Sequence, residues 1–513
     1  MNNFFRIIKP FFNECSKLGT KDTLSVVWEY YMYYFQKDYY YAHPKQVSEI
    51  SLYPIPPFMF DIMIEAVLKY SSSISEKSLC SIETRKRVIG KLQPGLDFVY
   101  KDCSDLNPFN WLKSYIYNQA KMQIVEGYIE KACKYYYLYS TPSLSSVVSD
   151  KFKLDILTYV KTSLCLYQLF MESCVYKRDE LIRYFKGMLN YQQFSLVLSN
   201  FCSNKLDYKF NKVDRIDVTL SCTLYANNAK FISKPFIMDG DEIMCPIPLY
   251  ILNSMLDGLQ YHLCLKDKQN MDCNKELAQN FENYIGELLS NSVSSKAFTF
   301  TKEIDYMDKS NKKTSDWLLQ ESDMVVFMDC KLKKLTVSSL KEIQICKTDI
   351  NLALKSKYLS SRKSIKELHA LVKNPLSIDI IDFGIDLGKI FCCYYDWKDN
   401  KIQSYPYSSN KKFCAIILTL EENYCNAFDI KDEIIRIAKQ YVLEKKGEDI
   451  DINSNNAIIM SSLYFSDFVS SAAVDGLSTA INNEVSSSTS SSSMGTYLEN
   501  DFFVKMKKEK FNL

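Results

Sequence analysis

The chain has 513 residues, of which 47% are apolar and 24% are charged, with 63 lysines and arginines against 61 aspartates and glutamates. This is the composition of a globular protein of roughly two to four domains, and the net charge of +2 excludes a protein that is basic throughout. The 13 glycines form no GxGxxG, GxxxxGK[ST] or GxSxG motif, which excludes the glycine-rich loops that hold nucleotide phosphates and the nucleophile elbow of serine hydrolases.

The histidines and cysteines argue against several kinds of site. The three histidines, His43, His262 and His369, lie far apart and share no zinc-ligand spacing with a cysteine, so carboxylates and lysines remain the main reactive groups. The 17 cysteines are scattered and follow no secretory signal, a pattern typical of reduced thiols in the cytoplasm. No run of about 18 apolar residues is present, and we therefore predict a cytoplasmic protein without a membrane partner.

Residues 1–205 have the periodicity of helices. Apolar residues recur three and four positions apart, as in Leu157, Val160 and Leu164. The aromatic run WEYYMYYFQKDYYY over residues 28–41 allows two interpretations, a surface that stacks the bases of single-stranded nucleic acid or a buried helix, and we favour the buried helix. We predict a helical region of unknown role that is a candidate surface for a partner protein or for a second copy in a homodimer.

Residues 206–275 are predicted to form a β-containing connecting region. The segment 233–248 has the pattern of a β-hairpin. Asp239, Asp241 and Glu242 cluster at its turn, where acidic residues are common because they hydrogen-bond nearby backbone. We interpret them as solvated turn residues rather than as metal ligands.

The segment 276–335 carries the residues on which the functional prediction depends. Within it, LAQNFENYIGELL has the apolar stripe of a helix, and residues 314–320 and 324–335 have the pattern of strands. Side chains alternate across a strand, so Asp329 and Lys331 lie on one face, about 7 Å apart. The other face is wholly apolar and is expected to be buried, which leaves the charged face at a cleft or at a sheet edge.

Two further carboxylates are expected near Asp329. A hairpin between the two strands brings Asp316 toward it. In the helix, Glu282 lies between Ala278 and Gly286, a seam of small residues that lets its side chain approach the sheet. Three carboxylates and a lysine at one point suit Mg²⁺, which binds one or two carboxylates together with water and phosphate oxygens.

This arrangement resembles the active site of the PD-(D/E)XK nuclease superfamily, which has the restriction-endonuclease-like fold. Ser315 stands where the proline gives the motif its name, and Asp329 is within the pattern. The bare spacing recurs elsewhere, as in Glu444 and Lys446, but only Asp329 lies in a long apolar strand downstream of a second aspartate and a helix glutamate. The matching residues are Ser315-Asp316 for the PD element, Asp329-Cys330-Lys331 for (D/E)xK, and Glu282 in the preceding helix.

The resemblance implies both a fold and a reaction. The fold class is α+β, a helical N-terminal region followed by a restriction-endonuclease-like α/β core whose mixed central sheet is flanked by helices in the order helix, three strands, helix, strand. The reaction is Mg²⁺-dependent hydrolysis of phosphodiester bonds, with Mn²⁺ as a substitute. Asp316 and Asp329 would bind the metal, Glu282 would bind it directly or through water, and Lys331 would orient the attacking water. DNA is the substrate that the resemblance implies first, in restriction or anti-phage defence by a bacterial protein, with RNA as the alternative.

A basic strip follows the (D/E)xK element. Between Lys331 and Lys373 the sequence has 11 lysines and arginines but only three acidic residues. Such a strip beside a metal site suits a phosphate backbone, although a helix with a solvated basic face has the same composition. The predicted backbone contacts are Lys333, Lys334, Lys341 and Lys347.

Two other interpretations of the whole chain stay open. The nuclease-like fold could serve only as a platform for binding nucleic acid or protein, and the charges could be solvated residues that come together by coincidence. A serine tract, SSSTSSSS, near the end of the chain indicates a flexible linker. The predicted regions are 1–205 (helical), 206–275 (connecting), 276–450 (nuclease-like domain) and 451–513 (helical and Ser-rich tail).

Overall fold

The described residues form a mixed α+β structure, 67% helical, with two small mixed sheets, and the predicted helical N-terminal region is confirmed. It divides into two compact units, Met1–Cys273 and Asn274–Leu513. In the described part of the chain, no helix has both the length and the apolar character needed to cross a membrane. The computed structural model describes residues 2–42, 50–51, 53–71, 77–104, 127–210, 230–265, 270–292, 298–303, 305–307, 312–332, 378–399, 411–420, 430–487 and 500–511.

Helices dominate the first unit. Tyr30 and Tyr31 of the aromatic run are fully buried, so the interpretation of this segment as a buried helix is confirmed for its first part. The helices are α1 (Asn2–Cys15), α2 (Thr20–Phe35), α3 (Lys37–Ala42), α4 (Phe60–Tyr70), α5 (Ile82–Ser104), α6 (Tyr128–Tyr139), α7 (Pro142–Phe152), α8 (Ile156–Glu172), α9 (Arg178–Phe185), α10 (Tyr191–Phe201), α11 (Lys205–Phe210), α12 (Lys230–Ser233), α13 (Leu249–Leu252) and α14 (Leu259–His262).

The first unit also contains a sheet of four short strands, in the order β1-β4-β3-β2. The predicted hairpin is confirmed, because β3 and β4 pair antiparallel around Gly240, whose φ of 67° is the left-handed conformation that glycine adopts without strain. Two of the strands lie within the region predicted to be helical throughout, and each has only three residues. The strands are β1 (Val175–Lys177), β2 (Cys202–Asn204), β3 (Phe236–Asp239) and β4 (Glu242–Met244).

A five-stranded sheet forms the centre of the second unit, in the order β11-β10-β9-β8-β5. β8 pairs antiparallel with both β5 and β9, whereas β10 pairs parallel with both β9 and β11. A separate two-stranded hairpin, β6 and β7, lies between β5 and β8 in sequence. The strands are β5 (Thr299–Lys302), β6 (Asp305–Met307), β7 (Lys312–Lys313), β8 (Trp317–Gln320), β9 (Met324–Lys331), β10 (Lys412–Thr419) and β11 (Ala457–Ser461).

Helices precede and separate these strands. α15 comes before β5, α16 lies between β9 and β10, and α17 lies between β10 and β11. The apolar stripe predicted for α15 is confirmed, since Leu277, Phe281 and Ile285 are fully buried. The helices of this part are α15 (Met271–Ser290), α16 (Ile378–Asp399), α17 (Ile430–Lys446), α18 (Ser462–Asp475), α19 (Leu477–Ser487) and α20 (Asp501–Met506).

The central strand β9 is buried on both faces over most of its length. Val325 and Phe327 belong to the face predicted to be polar, yet they are as fully buried as Val326 on the other face. They pack in the core that α16 and α17 contribute. The parallel neighbour of β9 is covered by helices and buries this face as well, and in β9 only Asp329 and Lys331, near the end of the strand, are partly exposed.

Candidate active site

Asp316 and Asp329 lie side by side at the end of the β8–β9 hairpin. Trp317 pairs with Met328, so Asp316, one residue before β8, lies opposite Asp329. The backbone N–H of Asp316 donates to Oδ1 of Asp329 at 3.3 Å, and the N–H of Cys330 donates to Oδ2 of Asp316 at 2.7 Å. Each carboxylate therefore accepts a hydrogen bond from the strand of the other, as the predicted hairpin required.

Lys331 contributes the positive charge of this group. Its Nζ lies 2.9 Å from Oδ2 of Asp329, and the two side chains share one face at the end of β9. On α16, the buried carboxylate of Asp386 accepts a hydrogen bond from Lys389 at 2.9 Å, and its charge also favours the protonated form of Lys331. The carboxylates and the lysine predicted from the strand pattern thus form one contiguous group.

Glu282 reaches the group from α15. Its side chain is half-buried, and its Oε2 accepts a hydrogen bond from Nε2 of Gln279 at 2.9 Å. The predicted seam of small residues does face the sheet, but the indole ring of Trp317 fills it at Gly286. The ring N–H of Trp317 donates to the backbone oxygen of Glu282 at 3.2 Å.

The pKa values show how strongly these groups interact. Burial raises the pKa of Asp316 to about 7, and the nearby charge of Asp329 adds to that effect. Burial also raises the pKa of Glu282, although the positive charge of Lys302 opposes the shift. Burial works against the charged form of Lys331, but Asp329 outweighs it and holds the pKa of Lys331 above its ordinary value. The site therefore holds carboxylates in a partly desolvated position, where Lys331 and Lys302 are the described cations that act on them.

The oxygen donors suit a hard cation in number and type. Oδ2 of Asp316 and both oxygens of Asp329 have partners, while Oδ1 of Asp316 accepts no hydrogen bond within the described residues. Across the same part of the chain, no group of three or more His, Cys, Asp and Glu side chains is arranged to hold a metal ion. Mg²⁺ needs only one or two protein carboxylates and completes its shell with water and phosphate oxygens, so Asp316 and Asp329 are the residues that would hold it.

Lys302 is a site residue that the sequence did not reveal. It ends β5, and its Nζ lies 3.3 Å from Oδ1 of Asn283 on α15, one residue after Glu282. Next to it, the N–H of Glu303 donates to the backbone oxygen of Asp316 at 3.0 Å. A lone lysine on a short strand carries no motif, and only the pairing of β5 with β8 places it here. The predicted backbone contacts Lys333, Lys334, Lys341 and Lys347 lie outside the described residues.

Comparison with known proteins gives no match to a family model, to a curated protein or to a solved structure.

Proposed function

We propose that the second unit is a metal-dependent nuclease that hydrolyses phosphodiester bonds, with DNA as the first candidate substrate. The observation that carries this proposal is the contact between Asp316 and Asp329 across neighbouring strands, with Lys331 paired to Asp329. Two adjacent carboxylates and an ammonium at the end of a buried strand can hold a divalent metal ion and orient a water for phosphodiester hydrolysis.

The order of elements also supports the proposal. From α15 to β10 the unit has a helix, three strands of the central sheet, a helix and a strand, the order that the resemblance to the PD-(D/E)XK superfamily implies. The parallel strand β11, with α17 before it, and the small β6–β7 hairpin are additions to that order. A resemblance of fold alone does not define an activity, so the argument rests on the residues of the site.

The three carboxylates would have different roles in binding a cation. Asp316 and Asp329 would bind Mg²⁺ through oxygens that face the same space, and Glu282 would contact it directly or through a water molecule. A bound Mg²⁺ supplies a water of lowered pKa and neutralises charge on the scissile phosphate. The backbone N–H groups of Asp316 and Cys330 hold the two aspartates in place, so that little rearrangement is needed when substrate binds.

The lysines bind and orient the substrate. Lys331 lies beside Asp329, where its ammonium can orient the attacking water and contact a phosphate oxygen. Lys302 lies on the Glu282 side of the group and is exposed, which suits a contact with the phosphate of a neighbouring nucleotide. Both contacts recognise phosphate and carry no information on base sequence.

A cleavage assay tests the proposal. Purified full-length chain is incubated with supercoiled plasmid, linear duplex DNA, single-stranded DNA and RNA in Mg²⁺, Mn²⁺ or EDTA. We expect cleavage that requires metal, is lost in Asp329→Asn, and falls by roughly 100- to 1,000-fold in Lys331→Met, the range for loss of one group that stabilises transition-state charge. The substrate that is cleaved decides between DNA and RNA.

Glu444→Gln is the matched control. Glu444 and Lys446 have the same spacing as Asp329 and Lys331 but belong to the helix α17, where Glu444 accepts a hydrogen bond from Gln440. This variant is expected to cleave like the unaltered chain. Equal residual cleavage in all variants would reveal a contaminating nuclease, and the absence of both cleavage and metal binding would favour an interaction protein instead.

A further inference from the structure

Trp317 connects the strand that follows Asp316 to the helix that carries Glu282. Its side chain is buried, with 8% of its surface exposed. Its indole N–H donates to the backbone oxygen of Glu282 at 3.2 Å. In an α-helix the same oxygen accepts a hydrogen bond from the backbone N–H of Gly286, four residues later. The indole N–H is therefore a second donor to this oxygen, from outside the helix.

Gly286 allows the ring to come this close. A Cβ atom at this position would lie 2.6 Å from Cζ2 and 2.7 Å from Cη2 of Trp317, closer than real Cβ contacts. Gly286 is one helical turn after Glu282, so the ring lies against the turn that carries the glutamate. On β5, Phe300 lies 6.1 Å from Trp317 between ring centroids. Helix, indole and sheet are therefore in contact at one point, one residue from Asp316.

The positive charges of Lys302 and Lys331 attract the carboxylate of Glu282. Its hydrogen bond goes to Gln279, on its own helix, and it forms none with Asp316 or Asp329. The position of the Glu282 carboxylate relative to Asp316 and Asp329 therefore depends on where the backbone of α15 lies against the sheet. Trp317 joins the sheet to this helix through its hydrogen bond to the backbone oxygen of Glu282 itself.

We propose that Trp317 is a positioning residue, which holds the carboxylate of Glu282 near Asp316 and Asp329, where its negative charge contributes to metal binding. This inference rests on the proposed function, because it assigns Glu282 to the same metal site. Trp317→Phe keeps an aromatic ring but removes the donor. Gly286→Ala keeps the donor but forces the ring and the helix apart.

A double-mutant cycle tests the inference on the full chain. The dissociation constant for Mn²⁺ is measured by calorimetry for the unaltered chain, Trp317→Phe, Glu282→Gln and the double variant, and kcat/KM is measured with the cleaved substrate. Loss of a group that orients a metal ligand typically weakens affinity by about 10- to 100-fold. We expect Trp317→Phe and Gly286→Ala each to weaken Mn²⁺ binding by about tenfold, the lower end of that range. In the Glu282→Gln background, neither change is expected to weaken binding further.

Two controls separate positioning from general damage. Phe300→Leu alters the contact between Phe300 of β5 and the indole ring of Trp317 but leaves the hydrogen bond to Glu282 in place. It is expected to leave Mn²⁺ affinity unchanged. Thermal unfolding of each variant without metal identifies any that is not folded. If Trp317→Phe is not folded, the same cycle is measured with Gly286→Ala and Glu282→Gln.

The outcomes distinguish this inference from the proposed function. Equal loss of affinity with and without Glu282, or no loss in Trp317→Phe while Asp329→Asn abolishes binding, would overturn the positioning role alone. Failure of the unaltered chain to bind Mn²⁺ would overturn the proposed function and the inference with it. Loss that depends on Glu282 would establish that Trp317 acts through the glutamate.

Discussion

Each unit places acidic side chains and lysines at the ends of its strands, but the charges pair differently. In the first unit, Asp239 lies 3.2 Å from Nζ of the buried Lys205, and Glu242 pairs with Lys21. Each of these two carboxylates has its own lysine, drawn from another element of the fold. These two pairings support the interpretation of Asp239 and Glu242 as structural residues of the hairpin.

In the second unit, three carboxylates lie around one paired lysine. Glu282, Asp316 and Asp329 face Lys331, and burial disfavours the charged forms of the first two. Crowding like charges in a partly desolvated place costs folding free energy, and such arrangements cluster at functional sites. The difference teaches that the balance of charges, more than the number of acidic residues, distinguishes a structural cluster from a candidate site.

The largest effect expected from this comparison is stabilisation by metal. Mg²⁺ or Mn²⁺ at a free concentration 100 times its Kd should raise the free energy of unfolding by about 2.7 kcal/mol, because only the folded state binds it. Asp316→Asn should abolish that gain, while leaving the metal-free protein at least as stable because it removes the repulsion with Asp329. Thermal unfolding with and without metal measures both quantities.

Asp239→Asn is the counterpart in the first unit. It should lower the melting temperature by removing the carboxylate that pairs with the buried Lys205, and it should retain the full metal-induced gain. A metal-induced gain that disappears in Asp239→Asn but persists in Asp316→Asn would reverse the assignment of structural and functional clusters.

The sequence predicted the approach of Asp316 to Asp329 better than it predicted the sheets. The alternation in β9 and the short connection to β8 placed Asp316 beside Asp329, because a hairpin leaves little freedom in register. The strands β1 and β2 were missed because three residues do not show a period of two among helical segments. The burial of Phe327 could not be predicted, since its neighbours in the core come from α16 and α17, far along the chain. Contacts of Trp317 and Lys302 with α15 likewise arise only in the folded unit.

A smaller effect is expected at Lys302, where the pairing again differs from that in the first unit. Lys205 and Lys21 each pair with a carboxylate, whereas Nζ of Lys302 bonds the amide oxygen of Asn283 and, within the described residues, no carboxylate. Its charge is therefore available to a phosphate. The logarithm of the association constant for nucleic acid falls linearly with the logarithm of the salt concentration, and Lys302→Ala should make that slope less steep by about 0.9 for duplex DNA or about 0.7 for a single strand.

The binding experiment uses the Asp329→Asn background, so that substrate is not consumed. Lys439→Ala, at an exposed lysine of α17, is the control and should leave the slope unchanged. Equal slopes for Lys302→Ala and Lys439→Ala would remove Lys302 from the phosphate contacts and leave the metal site untouched.

The last effect is expected at His262 in the first unit, where the folded chain favours the neutral imidazole. Burial, together with the positive charges of Lys151 and Lys234, lowers the pKa of His262 from 6.5 to about 4. Its ring packs edge-on against Phe201, at 4.6 Å between centroids, and Ser254 lies at hydrogen-bonding distance. The unfolded chain thus binds a proton at this residue between pH 6.5 and 4 that the folded chain rejects, so its contribution to stability is complete above pH 6.5 and is lost as the pH falls toward 4.

His262→Gln isolates that contribution from the titration of the carboxylates. The free energy of unfolding is measured with urea for both proteins at pH 7.5, 6, 5 and 4.5. It should fall more steeply with decreasing pH in the unaltered chain than in His262→Gln, so that the two values converge toward low pH. Parallel curves would mean that His262 titrates in the folded state as it does in the unfolded chain. Because the histidine belongs to the first unit, metal-induced stabilisation at pH 7.5 should be the same in both proteins, and a variant that also lost it would break the separation of a structural first unit from a metal-binding second one.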